Sequence, residues 1–241
     1  MVTIAGNIPE LLGKGLYTPS EAARLTRLGP STVRRWIAGY SFRYATSMGP
    51  KRGYSGSLIH SDIPRIDRHM ALSFLELIET YIAGAFLRTG VSLHTVRLAH
   101  RHAVEKLQMP HPFAMEQFKT DGKGIFLELE GEAPGSKALL ELSRVQYAFP
   151  EILAEYLELI DFDRETELAC QWWPLGKKLP VVINPAIAFG SPVIAGTRVT
   201  VQAILDALDA DETEESVAKW FSITRREVDT AILLKKQRLA G

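Results

Sequence analysis

The sequence predicts an α+β protein that is mainly helical. Three observations point there. Apolar residues recur at helical spacing in eight stretches, while alternating aromatic or β-branched residues mark only a few short strands. Glycine and proline cluster between these stretches, as they do in turns. A 241-residue chain with 46% hydrophobic and 23% charged residues has the make-up of a globular protein with a real core, in one large or two small domains by length.

Residues 1–15 read as a loose arm. Thr18 or Ser20 can cap a first helix, with Pro19 in its first turn and Ala22, Ala23 and Leu25 as its apolar stripe, ended by Gly29. Ser31 can cap a second helix, STVRRWIA, whose Val33, Trp36 and Ile37 face inward. Two short helices joined by TRLGP form a helix-turn-helix. In residues 39–66, Phe42 and Tyr44 alternate with polar residues and MGPKRGYSG holds a loop, which reads as a β-ribbon or wing. Helices follow at about 69–89 and 92–108. The first is apolar almost all round and so belongs at the centre of a core; Ser92 can cap the second, and MPHP stops it.

A central region, 111–180, carries a hairpin signal. DGKG lies between strand-like flanks in EQFKTDGKGIFLELEG, and SKALLELSRVQYAF can supply another strand. PEILAEYLELIDFD fits a short helix, and ELACQWWPLG is irregular or strand. From Pro180, PVVINP and GSPVIAGTRVTV give short strands around tight turns, with Gly190 and Gly196 suited to positive φ. Helices at about 200–209, 213–221 and 224–238 complete the chain, capped by Thr200, by Thr213 and by Thr224, which forms a capping box with Glu227. The domain expectation is 1–110, 111–180 and 181–241.

Charge is balanced, 28 basic against 28 acidic residues, but unevenly spread. Residues 1–110 hold 14 Lys/Arg and 7 Asp/Glu, whereas 111–241 hold 14 and 21. A basic half suggests a polyanion, commonly nucleic acid; the alternative is that the two halves attract each other. A helix that reads the major groove must show polar and cationic side chains on one face. Ser31, Thr32, Arg34 and Arg35 meet that need, and the wing adds Arg43, Lys51, Arg52 and Tyr54, placed to follow the backbone or enter a minor groove. The alternative for the helix is a solvated face. A second helix-turn-helix corner at SITRREV offers Thr224, Arg225 and Arg226. There a solvated first turn competes evenly with DNA contact, and the acidic DALDADETEE nearby would repel phosphate.

LYTPSEAARLTRLGPSTVRRWIAGYSFRY resembles the opening of MerR-type regulators, and the likeness continues into GVSLHTVRLA, covering about 16–108. MerR proteins usually dimerise through a long following helix, but MPHP interrupts it here, so subunits must join elsewhere. INPAIAFGSPVIAGTRVTVQAILDALDADETEESVAKWFSITRREVDTAILLKKQ is similar to a short bacterial domain of unknown function that occurs in VapB-type antitoxins of VapBC-like toxin–antitoxin operons. It departs from that pattern at Phe189, where the family has glycine. The resemblance implies a DNA-binding antitoxin that represses its own operon and blocks a co-encoded PIN-like ribonuclease toxin. Helix-turn-helix logic adds a homodimer on double-stranded operator DNA. The runner-up is a MerR-like regulator that senses a small ligand through 111–180, without a toxin.

Other chemistry is not expected. The glycines of GSPVIAGTR lack phosphate-loop spacing and read as a structural hairpin, with Arg198 a candidate for orienting a subunit contact. His94, His100 and His102 do not form a ligand set, and the lone Cys170 excludes a disulfide and reads as buried and inert. No catalytic residue, metal or cofactor is expected. The lack of a long apolar run or leader pattern, with the single cysteine, points to a reducing cytoplasmic location and no membrane partner.

Overall fold

The computed structural model describes residues 13–65, 69–119, 122–123 and 153–239. Helices α1 (Pro19–Thr26) and α2 (Pro30–Ala38) are followed by a ribbon of β1 (Tyr40–Thr46) and β2 (Gly49–Ser55). Helices α3 (Phe74–Arg88) and α4 (Leu93–Leu107) come next, then a 3-10 turn at Pro112–Ala114. After α5 (Ala154–Leu157) the chain forms β3 (Ile160–Phe162), β4 (Ala169–Trp172), β5 (Val181–Val182) and β6 (Val193–Ile194). It ends in α6 (Val201–Asp209), α7 (Glu214–Phe221) and α8 (Arg225–Leu239). The three sheets among the described residues are antiparallel pairs, β1–β2, β3–β4 and β5–β6. The result is α+β and mainly helical.

Local chemistry sets most boundaries. The Thr18 hydroxyl accepts from the Glu21 amide while the Glu21 carboxylate accepts from the Thr18 amide, a reciprocal cap on α1. Ser73 and Glu76 repeat it on α3, which is why that helix begins at Phe74 rather than near 69. Ser92, Thr200 and Thr213 cap α4, α6 and α7 through their side chains. Ser31 does not cap α2. Gly29 holds that position without a side-chain bond, and Pro30 occupies the first turn, where its missing N–H costs nothing. Likewise α1 ends earlier than expected, with Arg27 in the left-handed region (φ 56°).

The wing also differs from its expectation. GPKRGYS is strand, and the loop shrinks to Ser47–Met48, held by the Thr46 hydroxyl donating to the Gly49 carbonyl at 2.6 Å. Pro50 is tolerated because a two-stranded ribbon leaves outward N–H positions unpaired. Residues 116–119 are helical where a strand-like flank was expected. Gly122 and Lys123 of the expected DGKG turn are helical as well, while the rest of that turn and the SKALLELSRVQYAF strand lie outside the described residues.

Two hydrophobic clusters organise the chain. The first surrounds α3, whose Phe74, Leu77, Ile78 and Ile82 are buried, and takes in Val33 and Trp36 from α2 and Val96 from α4. It also includes Phe113, Phe118, Leu157, Ile160, Trp172 and Ile183. The boundary expected between 110 and 111 therefore runs through one core. The second cluster joins Val181 and Ile194 to Ile204, Val217, Val228 and Leu234 of the last three helices.

The two parts meet at the start of α1. Tyr17 is buried and its hydroxyl donates to the Gly190 carbonyl at 2.9 Å; the Leu16 amide donates to the Phe189 carbonyl at 3.0 Å. Burial, aided by the charge of Glu21, pushes the Tyr17 pKa up and keeps it a donor. Gly190 has φ 82°, and a Cβ there would lie 2.1 Å from the Tyr17 hydroxyl, so only glycine fits. Ala188 and Phe189 precede it at φ 47° and 54°, a conformation costing an L-residue roughly 1–2 kcal/mol. Phe189 thus occupies a position where glycine, the residue expected there from the sequence resemblance, would relieve strain.

Candidate nucleic-acid interface

The interface is built on α2. Val33, Trp36 and Ile37 are buried beneath it, so the opposite face presents Ser31, Arg34 and Arg35, with Thr32 half-buried. Arg34 has no hydrogen bond or ion pair among the described residues. Among the described residues Arg35 bonds only within its own helix, from Nε to the Ser31 carbonyl at 3.3 Å, and its guanidinium lies 5.6 Å from the Tyr40 ring.

The wing is fixed to the end of α2. The Trp36 carbonyl accepts from the Leu58 and Ile59 amides at 2.6 and 3.1 Å. The Tyr54 hydroxyl donates to the Ala38 carbonyl at 3.1 Å, which satisfies one of the last free carbonyls of the helix. Gly39, at φ 68°, permits this closure, since a Cβ would stand 2.4 Å from the Tyr54 hydroxyl and 2.6 Å from the Ser55 carbonyl. Tyr54 is 67% exposed, but its hydroxyl is engaged in holding the wing.

Strand register places Arg43 directly opposite Arg52, and Tyr44 opposite Lys51. Side chains alternate across a ribbon, so Arg43, Arg52 and Tyr54 share one face, while Lys51 shares the other with Tyr40, Phe42 and Tyr44. Arg43, Lys51 and Arg52 are exposed, and none has an ion pair or hydrogen bond among the described residues. Like charges directly opposite destabilise a ribbon unless something anionic lies against them. The aromatic face was not singled out by sequence. Tyr40, Phe42 and Tyr44 form a row with ring centroids 6.0 and 5.9 Å apart; Phe42 and Tyr44 are exposed, and Met48 stands 89% exposed at the tip. The alternation in YSFRY carried that signal.

The C-terminal residues are placed differently. The Thr224 hydroxyl and amide are both taken up with Glu227 in the cap of α8. Arg225 pairs with Glu214 at 2.9 Å and with Glu215, both in the acidic first turn of α7. Arg226 donates to the Lys178 carbonyl at 3.1 Å. The structure therefore brings Ser31, Thr32, Arg34 and Arg35 together with the wing, and leaves Thr224, Arg225 and Arg226 in contacts within the protein. Arg27, in the turn between α1 and α2, hydrogen-bonds Gln237 of α8, so the second cluster is anchored close behind the first helix-turn-helix.

No group of three metal-binding side chains occurs among the described residues, and none of the described helices is long and apolar enough to cross a membrane. Cys170 is half-buried, its thiol pushed to higher pKa by burial and by the charges of Asp161 and Asp163.

Residues 15–100 match the family described as "Putative DNA-binding HTH domain", and residues 181–233 match "Protein of unknown function (DUF433)". A Mycobacterium tuberculosis protein named "Putative antitoxin VapB45" is 28% identical over 225 residues, covering 90% of this chain and 92% of its own length. "Uncharacterized protein Rv2308" of the same organism is 23% identical over 242 residues, 97% of this chain and 96% of its own. The crystal structure of Rv2018 from M. tuberculosis superposes with a TM-score of 0.70 at 25% identity, covering 90% of this chain and 96% of that one. The chain is thus a distant relative of a protein named as a VapB antitoxin, with a helix-turn-helix domain in front and a DUF433 domain behind.

Proposed function

We propose that this protein is a DNA-binding antitoxin that represses its own operon and neutralises a co-encoded PIN-like ribonuclease. The observation that carries the DNA half is the set of exposed cations on α2 and the wing that have no anionic partner among the described residues, Arg34, Arg43, Lys51 and Arg52, with Arg43 set against Arg52. Ser31, Thr32, Arg34 and Arg35 enter the major groove, where an arginine grips a guanine edge or a phosphate. Arg43, Lys51 and Arg52 hold the backbone or the adjoining minor groove. Tyr54 positions the wing. The protein acts as a homodimer, because two half-sites on one duplex give useful affinity. The toxin half rests on the relative's name, and the parts beyond the winged domain are assigned to toxin and subunit contacts.

The test is direct. The full chain is mixed with the duplex upstream of its own gene, and it is also co-expressed with the neighbouring reading frame. The reading expects a retarded duplex, a second chain that co-purifies, and ribonuclease activity from that chain which this protein suppresses. A duplex bound no better than unrelated DNA, with no co-purifying chain, contradicts it.

A further inference from the structure

A cavity of about 320 Å3 opens at the base of the wing, between the chain leaving β2 and helix α4. Arg97 and Arg101, one helical turn apart, share a helix face and line it together with His60; Leu58 and Val104 supply apolar wall. No carboxylate is among its described lining residues. His100 also borders it, but its Nε2 is bound to the buried Glu79 at 2.5 Å and belongs to the core.

Arg97 is unusual. Its Nη1 donates to the Gly56 carbonyl at 2.7 Å, just past the end of β2, while Nη2 is sealed from solvent with no hydrogen-bond partner among the described residues. Burial disfavours its charge and so does Arg101, which together outweigh Tyr40 and bring the Arg97 pKa below its ordinary value. A buried guanidinium donor left unmatched is costly, and a second cation beside it makes it costlier. Arg101 has no hydrogen bond or ion pair among the described residues. An oxyanion in the cavity would offset the repulsion between the two guanidinium groups and give Arg101 a partner, since guanidinium donors match phosphate oxygens in geometry as well as charge.

We propose that this cavity is a phosphate-binding site, with the Arg97 and Arg101 side chains that line it as its clamp, His60 at its edge, and Leu58 and Val104 accepting a small apolar body. Two sources supply that chemistry: a free phosphomonoester of modest size, which the volume suits, or a backbone phosphate of DNA lying against the wing base.

The probes are phenyl phosphate and, as its uncharged counterpart, phenol, titrated calorimetrically into the full chain in phosphate-free buffer. The variant is Arg101→Gln, at an exposed position, whose melting temperature should be no lower than the parent's because one of two neighbouring cations is removed. A free phosphomonoester site predicts that phenyl phosphate binds, phenol does not, and Arg101→Gln weakens phenyl phosphate at least tenfold. A backbone site predicts no phenyl phosphate binding, but a log–log salt slope for duplex DNA lowered by about 0.9 in Arg101→Gln. Phenyl phosphate bound equally by parent and variant, or no response in either arm, overturns the proposal. The phosphomonoester arm contains no DNA, so it fails or succeeds apart from the operator reading.

Discussion

Arg43 and Arg52 face each other across the wing, two guanidinium groups in direct register with no carboxylate to neutralise them among the described residues. Opposed like charges cost a free ribbon a few tenths to about 1 kcal/mol. The account assigns that cost to a DNA contact. Arg52→Glu should therefore stabilise the free protein slightly, by at most about 1 kcal/mol, while weakening duplex binding at least tenfold. Parallel denaturant titrations and fluorescence anisotropy check both signs; a variant that binds as tightly as the parent contradicts the wing's role.

Arg225 gives the converse. Its pairs with Glu214 and Glu215 lie at the surface, where an ion pair contributes about 0–1 kcal/mol. Arg225→Ala should lower stability by no more than that and leave duplex affinity within twofold. A tenfold loss of affinity would return DNA reading to the C-terminal corner.

The Tyr17–Gly190 contact joins the two hydrophobic clusters. Gly190→Ala sets a methyl against the Tyr17 hydroxyl at a positive φ and should cost roughly 2–4 kcal/mol, more than the 1–2 expected from the backbone conformation alone. Tyr17→Phe should cost about 1 kcal/mol through the lost bond to the Gly190 carbonyl. In combination, the two should cost less than their sum, because removing the hydroxyl relieves the clash. Strict additivity in thermal unfolding would show that the contact does not form.

Acid should stabilise this fold over a defined window. Burial lifts Glu76 to about 7, with Asp62's charge adding and its bonds from Ser73 and Asp62 opposing. Burial opposes a charged His111, but its hydrogen bond to Asp62 at 2.8 Å and nearby carboxylates outweigh this and raise it. Both folded pKa values exceed the unfolded ones, so each contribution is complete below the unfolded pKa and disappears as pH rises through the folded one. Asp62 behaves oppositely. It is held low mainly by its His111 bond against burial, and its contribution disappears only as pH falls below the ordinary carboxylate range. Unfolding free energy should thus fall between pH 5 and 8, by up to about 3 kcal/mol from Glu76 at about 1.4 kcal/mol per pKa unit. Glu76→Gln should flatten that slope. A parent protein whose stability rises from pH 5 to 8 rules the argument out.

Much of this was written in local sequence. The caps at Thr18, Ser92, Thr200, Thr213 and Thr224, and the inward set Val33, Trp36 and Ile37, depend on neighbours within four residues, so periodicity and capping chemistry reveal them. What escaped depends on distant partners. Phe113 and Trp172 join the α3 core across long stretches of chain, which blurs the boundary expected at 110. Tyr17 and Gly190 are 173 positions apart. The bond from the Tyr54 hydroxyl to the Ala38 carbonyl was not legible either, because nothing in the sequence places that carbonyl beneath it. The cap of α2 was misassigned for a local reason, since Pro30 shifts the start of the helix one residue ahead of Ser31.

The central claim is that the outward face of α2 holds a polyanion. Duplex binding measured across a range of salt, for the parent and for Arg34→Ala with Arg35→Ala, tests it most directly. The account predicts at least tenfold weaker binding and a log–log salt slope reduced by about 0.9 for each phosphate contact removed, with an unchanged melting temperature. Equal affinity and equal slope in a folded double variant would contradict it.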